Sequence, residues 1–503
     1  MTEPREPPLG AGLFRALRAL AVRPASALFL LLLGVYAFFY QAGGWNQNTR
    51  FDMVRAVVEH GTFVIDRYEG NTGDDSIKDG HYYCDKAPGA SWLAIPGYWL
   101  IHQLAGAPDP VPPSSLAWAA WFCIVLVVSV PSALGATFLV RLLGCFGHPP
   151  PTAFVTALLY GLGTLALPYS TLLYGNQLSG SLLLIAFTLL VEVRHGAATT
   201  RARMVVVGLL LGYAVVTEYQ SVLVGVPIAL YGWFVAGLRR SWPAVAAGVL
   251  PIGVLALYHW VLFGSPTAFA YDYSVWDTPK VGWFMGIGEM RWDLLSQILF
   301  GEFRGLLPAA PWLAAAATGA ILLVRRHRVE ALVCVWAVAA FLWLGSSIPN
   351  WDGGWAPGPR YLVPMLPFLC ALAAALLPAL ATASKRGVQA RVLELSTLGL
   401  FAMLAALSVA NLFAATAVKP EVPTEHQRPY SEWIWPKFEA GELSVSTQSI
   451  DMIDNPPNAP RQAWNLGMKI GLEGHASLVP LLVWVAASLT WLGWLLVRRR
   501  ARG

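Results

Sequence analysis

The residues best suited to chemistry in this chain are basic ones set at the edges of apolar runs. Lys86 stands in Tyr82-Tyr83-Cys84-Asp85-Lys86-Ala87-Pro88-Gly89, which leads into an apolar helical stretch at 92–104. A proline at a helix start leaves backbone N–H groups free, and the positive end of the helix dipole lies beside the ammonium. Together they make an anion site. Arg360 stands in Gly358-Pro359-Arg360-Tyr361, where three glycines and two prolines from 351–361 fix a tight backbone before the next apolar run. A planar guanidinium there suits a phosphate. The plainer role is anchoring at an interface, with Trp351, Trp355 and Tyr361 as an aromatic belt. Arg304, in Gly301-Glu302-Phe303-Arg304-Gly305, is a second candidate for the same anion.

Acids cluster near Lys86. Asp74, Asp75, Asp79 and Asp85 fall within a dozen residues, and Asp52 and Asp66 precede them. Four acids in a short loop suggest a divalent ion such as calcium, but the EF-hand pattern is absent. Asp85 beside Lys86 is equally read as an ordinary ion pair. The stretch 46–61 carries Phe51, Val54, Val57 and Val58 at helical spacing and ends in Gly61, which predicts an amphipathic helix. Arg55 and Glu59 form an i,i+4 pair on it, whose bland reading is a solvated charged face. A strand-like piece at 62–70 and a turn-rich stretch at 71–80 follow.

These residues need a scaffold, and composition says which. Of 503 residues, 56% are hydrophobic and 13% charged, with net charge +5; a soluble domain carries about 25% charge. Apolar runs of about 20 residues cross ~30 Å of hydrocarbon as helices, and their lack of alternation excludes barrel strands. The expected fold is an all-α polytopic membrane protein with about twelve spans, at 26–42, 115–140, 152–169, 176–193, 204–217, 219–236, 243–262, 306–324, 329–347, 361–382, 393–415 and 476–497. Juxtamembrane helices are expected outside them. The first span reads as retained rather than as a cleaved signal. The five cysteines are scattered and form no disulfide or CxxC framework.

Charge sorts the loops. Arg15, Arg18, Arg23, Arg141, Arg194, Arg201, Arg203, Arg239, Arg240, Arg325, Arg326, Arg328, Lys385, Arg386, Arg391, Arg498, Arg499 and Arg500 fall on one side. The positive-inside rule makes that side cytoplasmic, with both termini inside and the protein in the plasma (inner) membrane. The division is a cytoplasmic segment 1–25, a transmembrane domain 26–415 with its first external loop at 43–114, an external loop 416–475 that serves as a lid or acceptor platform, and a last span with a basic tail, 476–503. The long loops 43–114, 263–305, 348–360 and 416–475 share the external face. Aromatic-acid mixtures such as Tyr271-Asp272-Tyr273 and Trp276-Asp277 lie there. Tyr174-Gly175-Asn176-Gln177 and Glu218-Tyr219-Gln220 fall at external span ends. Spans nearly free of charge argue against a transporter with midplane ion sites. No P-loop, HExxH or nucleophile elbow is present, and nothing points to nucleic acid.

The layout resembles the GT-C class of polytopic glycosyltransferases, in particular the protein O-mannosyltransferase and aminoarabinose-transferase branch. The resemblance is carried by Gln47-Asn48-Thr49-Arg50-Phe51, Gly61-Thr62-Phe63, Tyr82 to Pro88, and Arg141-Leu-Leu-Gly. It implies transfer of a sugar from a polyprenyl-phosphate donor to an extracytoplasmic acceptor, which is a protein, lipid or glycan. The lipid phosphate would be held by Lys86, Arg360 and Arg304. The cavity would be lined by Gln47, Asn48, Arg50, Tyr83, Glu218, Trp355 and Tyr361. One departure matters: the family's acidic pair falls on Gln47 and Asn48, amides that accept no proton at neutral pH. Asp52, one turn along, could take over as base, or Asp85 or Asp66 from across the cavity. Alternatively, an ionised acceptor needs no strong base. No cofactor is certain, and a divalent metal stays open. The rival expectations are a flippase of lipid-linked sugars and a non-catalytic scaffold.

Overall fold

The computed structural model of the protein describes residues 23–275, 287–377, 388–446, 450 and 462–500. Arg15, Arg18, the Trp276-Asp277 pair, Lys385 and Arg386 lie outside the described residues.

A helix stands at each of the twelve expected positions. Among the described residues, seven are long and apolar enough to cross a membrane, including Pro113–Cys145, Gly175–Arg194, Leu238–Phe263 and Gly474–Arg498. Pro24–Ala37, Pro150–Leu162, Pro311–Val324 and Arg360–Ala373 are shorter apolar helices, and Arg201–Thr217 completes the set. Only 17% of the apolar window of Leu238–Phe263 is buried; Val249, Leu250, Leu257, Trp260 and Val261 point outward. Such a continuous apolar exterior is stable against lipid tails and not against water. The protein is therefore a helical membrane protein.

On the face opposite the long loops, Glu192 lies between Arg141 and Arg203, 2.6 and 3.3 Å away. Glu330 there pairs with Arg194 at 2.8 Å.

The long loops knit together on the other face. The expected helix runs Trp45–His60 and stops at Gly61, whose φ of 67° is left-handed and costs glycine little. It is not a surface helix with a solvated face, however: residues 46–56 are all buried. The later loops cover it, so its polar side chains point into a site rather than into solvent. The strand-like reading of 62–70 is corrected as well. The strands are Asp75–Lys78 and His81–Cys84, joined by Asp79-Gly80 with both φ positive, at 54° and 83°. That two-residue turn matches the twist of a hairpin. The hairpin docks on the 263–275 loop through Ser76 Oγ to the Ala270 carbonyl, 2.6 Å, and on the end of the Leu238–Phe263 helix through Lys78 Nζ to the Leu262 carbonyl, 2.8 Å. The first span ends early, at Ala37, and Phe39–Tyr40 pairs antiparallel with Trp464–Asn465.

Candidate functional site

Lys86 sits between the hairpin and the Gly89–Leu104 helix, 6% exposed. Its Nζ lies 2.8 Å from Asp85 Oδ2 and 3.0 Å from Asp74 Oδ2, and 5.5 Å from the centre of the Tyr271 ring. Burial alone would push the ammonium down, but Asp74 and Asp85 more than offset it and hold Lys86 well above the ordinary lysine range. Two of the four acids that suggested a metal, Asp74 and Asp85, thus pair with a lysine, and Asp79 pairs with Lys78 at 3.8 Å. Among the described residues, no three metal-ligating side chains stand together.

The Trp45–His60 helix braces this turn. Arg50 donates from Nη1 to the Ala87 carbonyl at 2.8 Å and from Nε to Asn46 Oδ1 at 3.1 Å. Its Nη2 pairs with Glu218 Oε1 at 3.2 Å. Glu218 occupies the turn between Arg201–Thr217 and Tyr219–Ala236, where Gln220 donates to its other oxygen at 3.0 Å. Burial pushes the Glu218 carboxyl up, and Arg50, Arg360 and Lys86 all lie near enough to pull it back. Lys86, Arg50, Glu218 and Arg360, distant in the chain, converge on one region.

Arg360 enters from the other side. Its guanidinium lies 5.5 Å from the Tyr174 ring and 5.3 Å from the Tyr361 ring, and contacts the Tyr361 hydroxyl at 3.5 Å. Among the described residues it has no carboxylate partner within 4.0 Å. Arg304 differs. It is 1% exposed, and its terminal nitrogens donate to the backbone carbonyls of Phe303, Gly354 and Val422, at 3.3, 3.2 and 3.1 Å, while its buried Nε has no partner among the described residues. Burial pushes it down to about 10. Its geometry is that of a clamp between two loops.

The remaining candidates spread out. Gln47 accepts from the Leu173 amide at 3.1 Å and donates to Glu421 at 3.2 Å. Asn48 donates to the Asn71 carbonyl at 2.6 Å. Asp52, fully buried, accepts from Asn71 Nδ2 at 3.0 Å, and its second oxygen is unpartnered. Burial pushes its carboxyl well up from the ordinary aspartate range, against the pull of Asn71 and Arg55. Asp66 is an outer residue, bound to His81 Nδ1 at 2.8 Å and to the Tyr82 amide at 2.7 Å. Tyr83 packs edge-on against Phe263, ring centres 5.6 Å apart. Trp355 is half-buried on the Arg360 loop.

Sequence reasoning passed over Asp74 as a Lys86 partner, and it passed over Lys419 and Glu421 altogether. Glu421 accepts from the Tyr174 hydroxyl at 3.1 Å and pairs with Lys419 at 3.0 Å. The one available signal was Lys419-Pro420-Glu421 itself, two opposite charges directly after an apolar run.

No family model and no curated protein sequence matches the chain. Among solved structures, it is similar to ArnT from Cupriavidus metallidurans bound to undecaprenyl phosphate. That match has TM-score 0.49 and 18% identity over 97% of this chain and 78% of that one. It is also similar to the archaeal oligosaccharyltransferase AglB from Archaeoglobus fulgidus, in complex with an inhibitory peptide and a dolichol-phosphate. There the TM-score is 0.45 and the identity 12%, over 83% of this chain and 57% of that one. Both neighbours are GT-C superfamily members.

Proposed function

We propose that the protein is a membrane glycosyltransferase that moves a sugar from a polyprenyl-phosphate donor to an acceptor at the loop-rich face. The observation that carries the reading is Arg360: a guanidinium held among tyrosines with, among the described residues, no carboxylate within 4.0 Å. A cation taken from water without a partner is costly, and an incoming anion repays that cost. Lys86 and Arg360 both lie near enough to act on the Glu218 carboxyl, and the proposed phosphate sits between them.

In the proposed reaction the acceptor oxygen bonds to the anomeric carbon, and the bond from that carbon to the phosphate oxygen breaks. The electron pair leaves with the lipid phosphate, whose growing charge Lys86 and Arg360 stabilise. A phosphate on Lys86 competes with Asp74 and releases that carboxylate. Asp74 has 17% of its side chain exposed against 2% for Asp85, so Asp74 takes the acceptor proton while Asp85 keeps Lys86 in place. Asp52, fully buried, and Asp66, turned outward, serve this step less well. Arg304 acts on the site by fixing the loops around it.

Purified protein incubated with labelled polyprenyl-phosphate sugars and membrane acceptors tests the reading. Lys86→Ala and Arg360→Ala should each lower transfer at least a hundredfold with expression intact, and Arg360→Lys should not restore it, because a point charge lacks the planar fork. Full activity in both alanine variants rejects the site. Lipid-sugar flipping in liposomes without transfer would make the protein a flippase.

A further inference from the structure

Glu421, in the 416–475 loop, is in no motif that the sequence singles out, yet it is 3% exposed and meets three donors. The Tyr174 hydroxyl donates to Oε1 at 3.1 Å, and Gln47 Nε2 and Lys419 Nζ meet Oε2 at 3.2 and 3.0 Å. Lys419, fully buried, also donates to the carbonyls of Gln41 and Gly43 at 2.7 and 3.0 Å. The fit is close: a Cβ on Gly44 would stand 2.1 Å from Glu421 Oε1. The next residue, Val422, offers its carbonyl to Arg304 at 3.1 Å and to the Ala356 amide at 3.2 Å. Four residues, 419–422, therefore strap together the chain before the Trp45–His60 helix, Tyr174, Arg304 and the loop that leads into Arg360.

A buried ion pair is a poor source of stability, because desolvation offsets most of the Coulomb attraction. Its best attested use is to fix one arrangement among several. Here the arrangement concerns Arg360. The Tyr174 ring that flanks its guanidinium is held at the hydroxyl by Glu421 and at its flank by Tyr169, ring centres 5.5 Å apart. We infer that Glu421 is a positioning residue for the anion site. Through Tyr174 it fixes the aromatic seat of Arg360, and through Lys419 it sets how far that seat lies from the first loop, which carries Lys86. This rests on the reading above in taking the anion to be a lipid-linked phosphate.

The test uses the full-length protein and undecaprenyl phosphate as the probe, with affinity, thermal unfolding and transfer kinetics measured together. Tyr174→Phe removes the link while leaving the Lys419–Glu421 pair intact. Lys419→Met with Glu421→Leu removes the pair while keeping its volume. Each should weaken probe affinity about tenfold and raise the donor KM with kcat within about twofold. Combining all three substitutions should weaken binding no further, since both routes act through one contact. Wild-type affinity in Tyr174→Phe, losses that multiply in the combination, or a lower unfolding temperature without loss of affinity would each overturn the inference. If the paired replacement fails to fold, Tyr174→Phe decides alone. A wild-type protein that neither binds nor transfers sinks the functional reading and this inference with it. A wild type that binds, with Tyr174→Phe its equal, sinks only the inference.

Discussion

Lys86 is one ammonium between two carboxylates, and the pair divides in a way that mutation can read. If Asp74 accepts the proton and Asp85 holds the lysine, Asp74→Asn should lower kcat by about 10²–10⁴-fold without weakening undecaprenyl-phosphate affinity, since a competitor for Lys86 is gone. Asp85→Asn should weaken that affinity as well, because Lys86 loses its 2.8 Å anchor. Equal kinetics in the two variants would remove the distinction. Asp75 lies beside them on the hairpin, and burial together with Asp85, Asp74 and Glu69 pushes its carboxyl from 3.8 up to about 6. A carboxyl raised in the folded state binds its proton more tightly folded than unfolded. Its contribution to stability is fully present below about 3.8 and is lost as pH rises through about 6. Wild-type protein should therefore lose unfolding temperature between pH 5 and pH 8 by a term that Asp75→Asn abolishes. An Asp75→Asn variant with the same pH slope as wild type would contradict this.

At the scale of elements, the site depends on how the Trp45–His60 helix is pinned. Arg50 bridges the Lys86 turn and the span-end turn at Glu218, and both members of the pair are nearly buried, 3% and 12% by side chain. Arg50→Ala leaves an uncompensated carboxylate and should cost about 3–5 kcal/mol. Adding Glu218→Gln should return much of the lost unfolding temperature without restoring transfer. Failure of the second substitution to rescue would mean that the pair is not what holds the turns together. This helix shows how far periodicity reaches. Phe51, Val54, Val57 and the stop at Gly61 were legible, because a 3.6-residue apolar repeat and a left-handed cap are local properties. Which way its polar residues face was not legible, since that depends on loops hundreds of residues away. Gln47, read only as a departure from an acidic pair, lies against Glu421, 374 positions along the chain. The hairpin was hidden for another reason. Ser-Ile-Lys and His-Tyr-Tyr-Cys alternate too briefly to signal strands, so the Asp79-Gly80 turn, legible within the turn-rich 71–80 stretch, shows no strands on either side of it.

For the whole molecule, the strongest regularity is that charge and aromatics separate onto two faces of an apolar slab. The twelve helix positions were readable from the sequence because lipid demands a run of apolar residues whatever the tertiary packing. The joining of four loops into one site was readable only as an expectation drawn from their common side. The positive-inside expectation for the arginine-rich loops around Arg141, Arg203 and Arg326 makes a direct prediction. The five native cysteines are free and four of them are buried, which leaves a quiet background for labelling. Cysteine placed at the exposed Glu69 should react with a membrane-impermeant maleimide in intact cells. Cysteine placed at the exposed Arg326 should react only after the membrane is opened. The reverse pattern would put Lys86 and Arg360 on the cytoplasmic side. A donor delivered to the outer leaflet could not then reach them, and the transfer proposed here would have to run inside the cell.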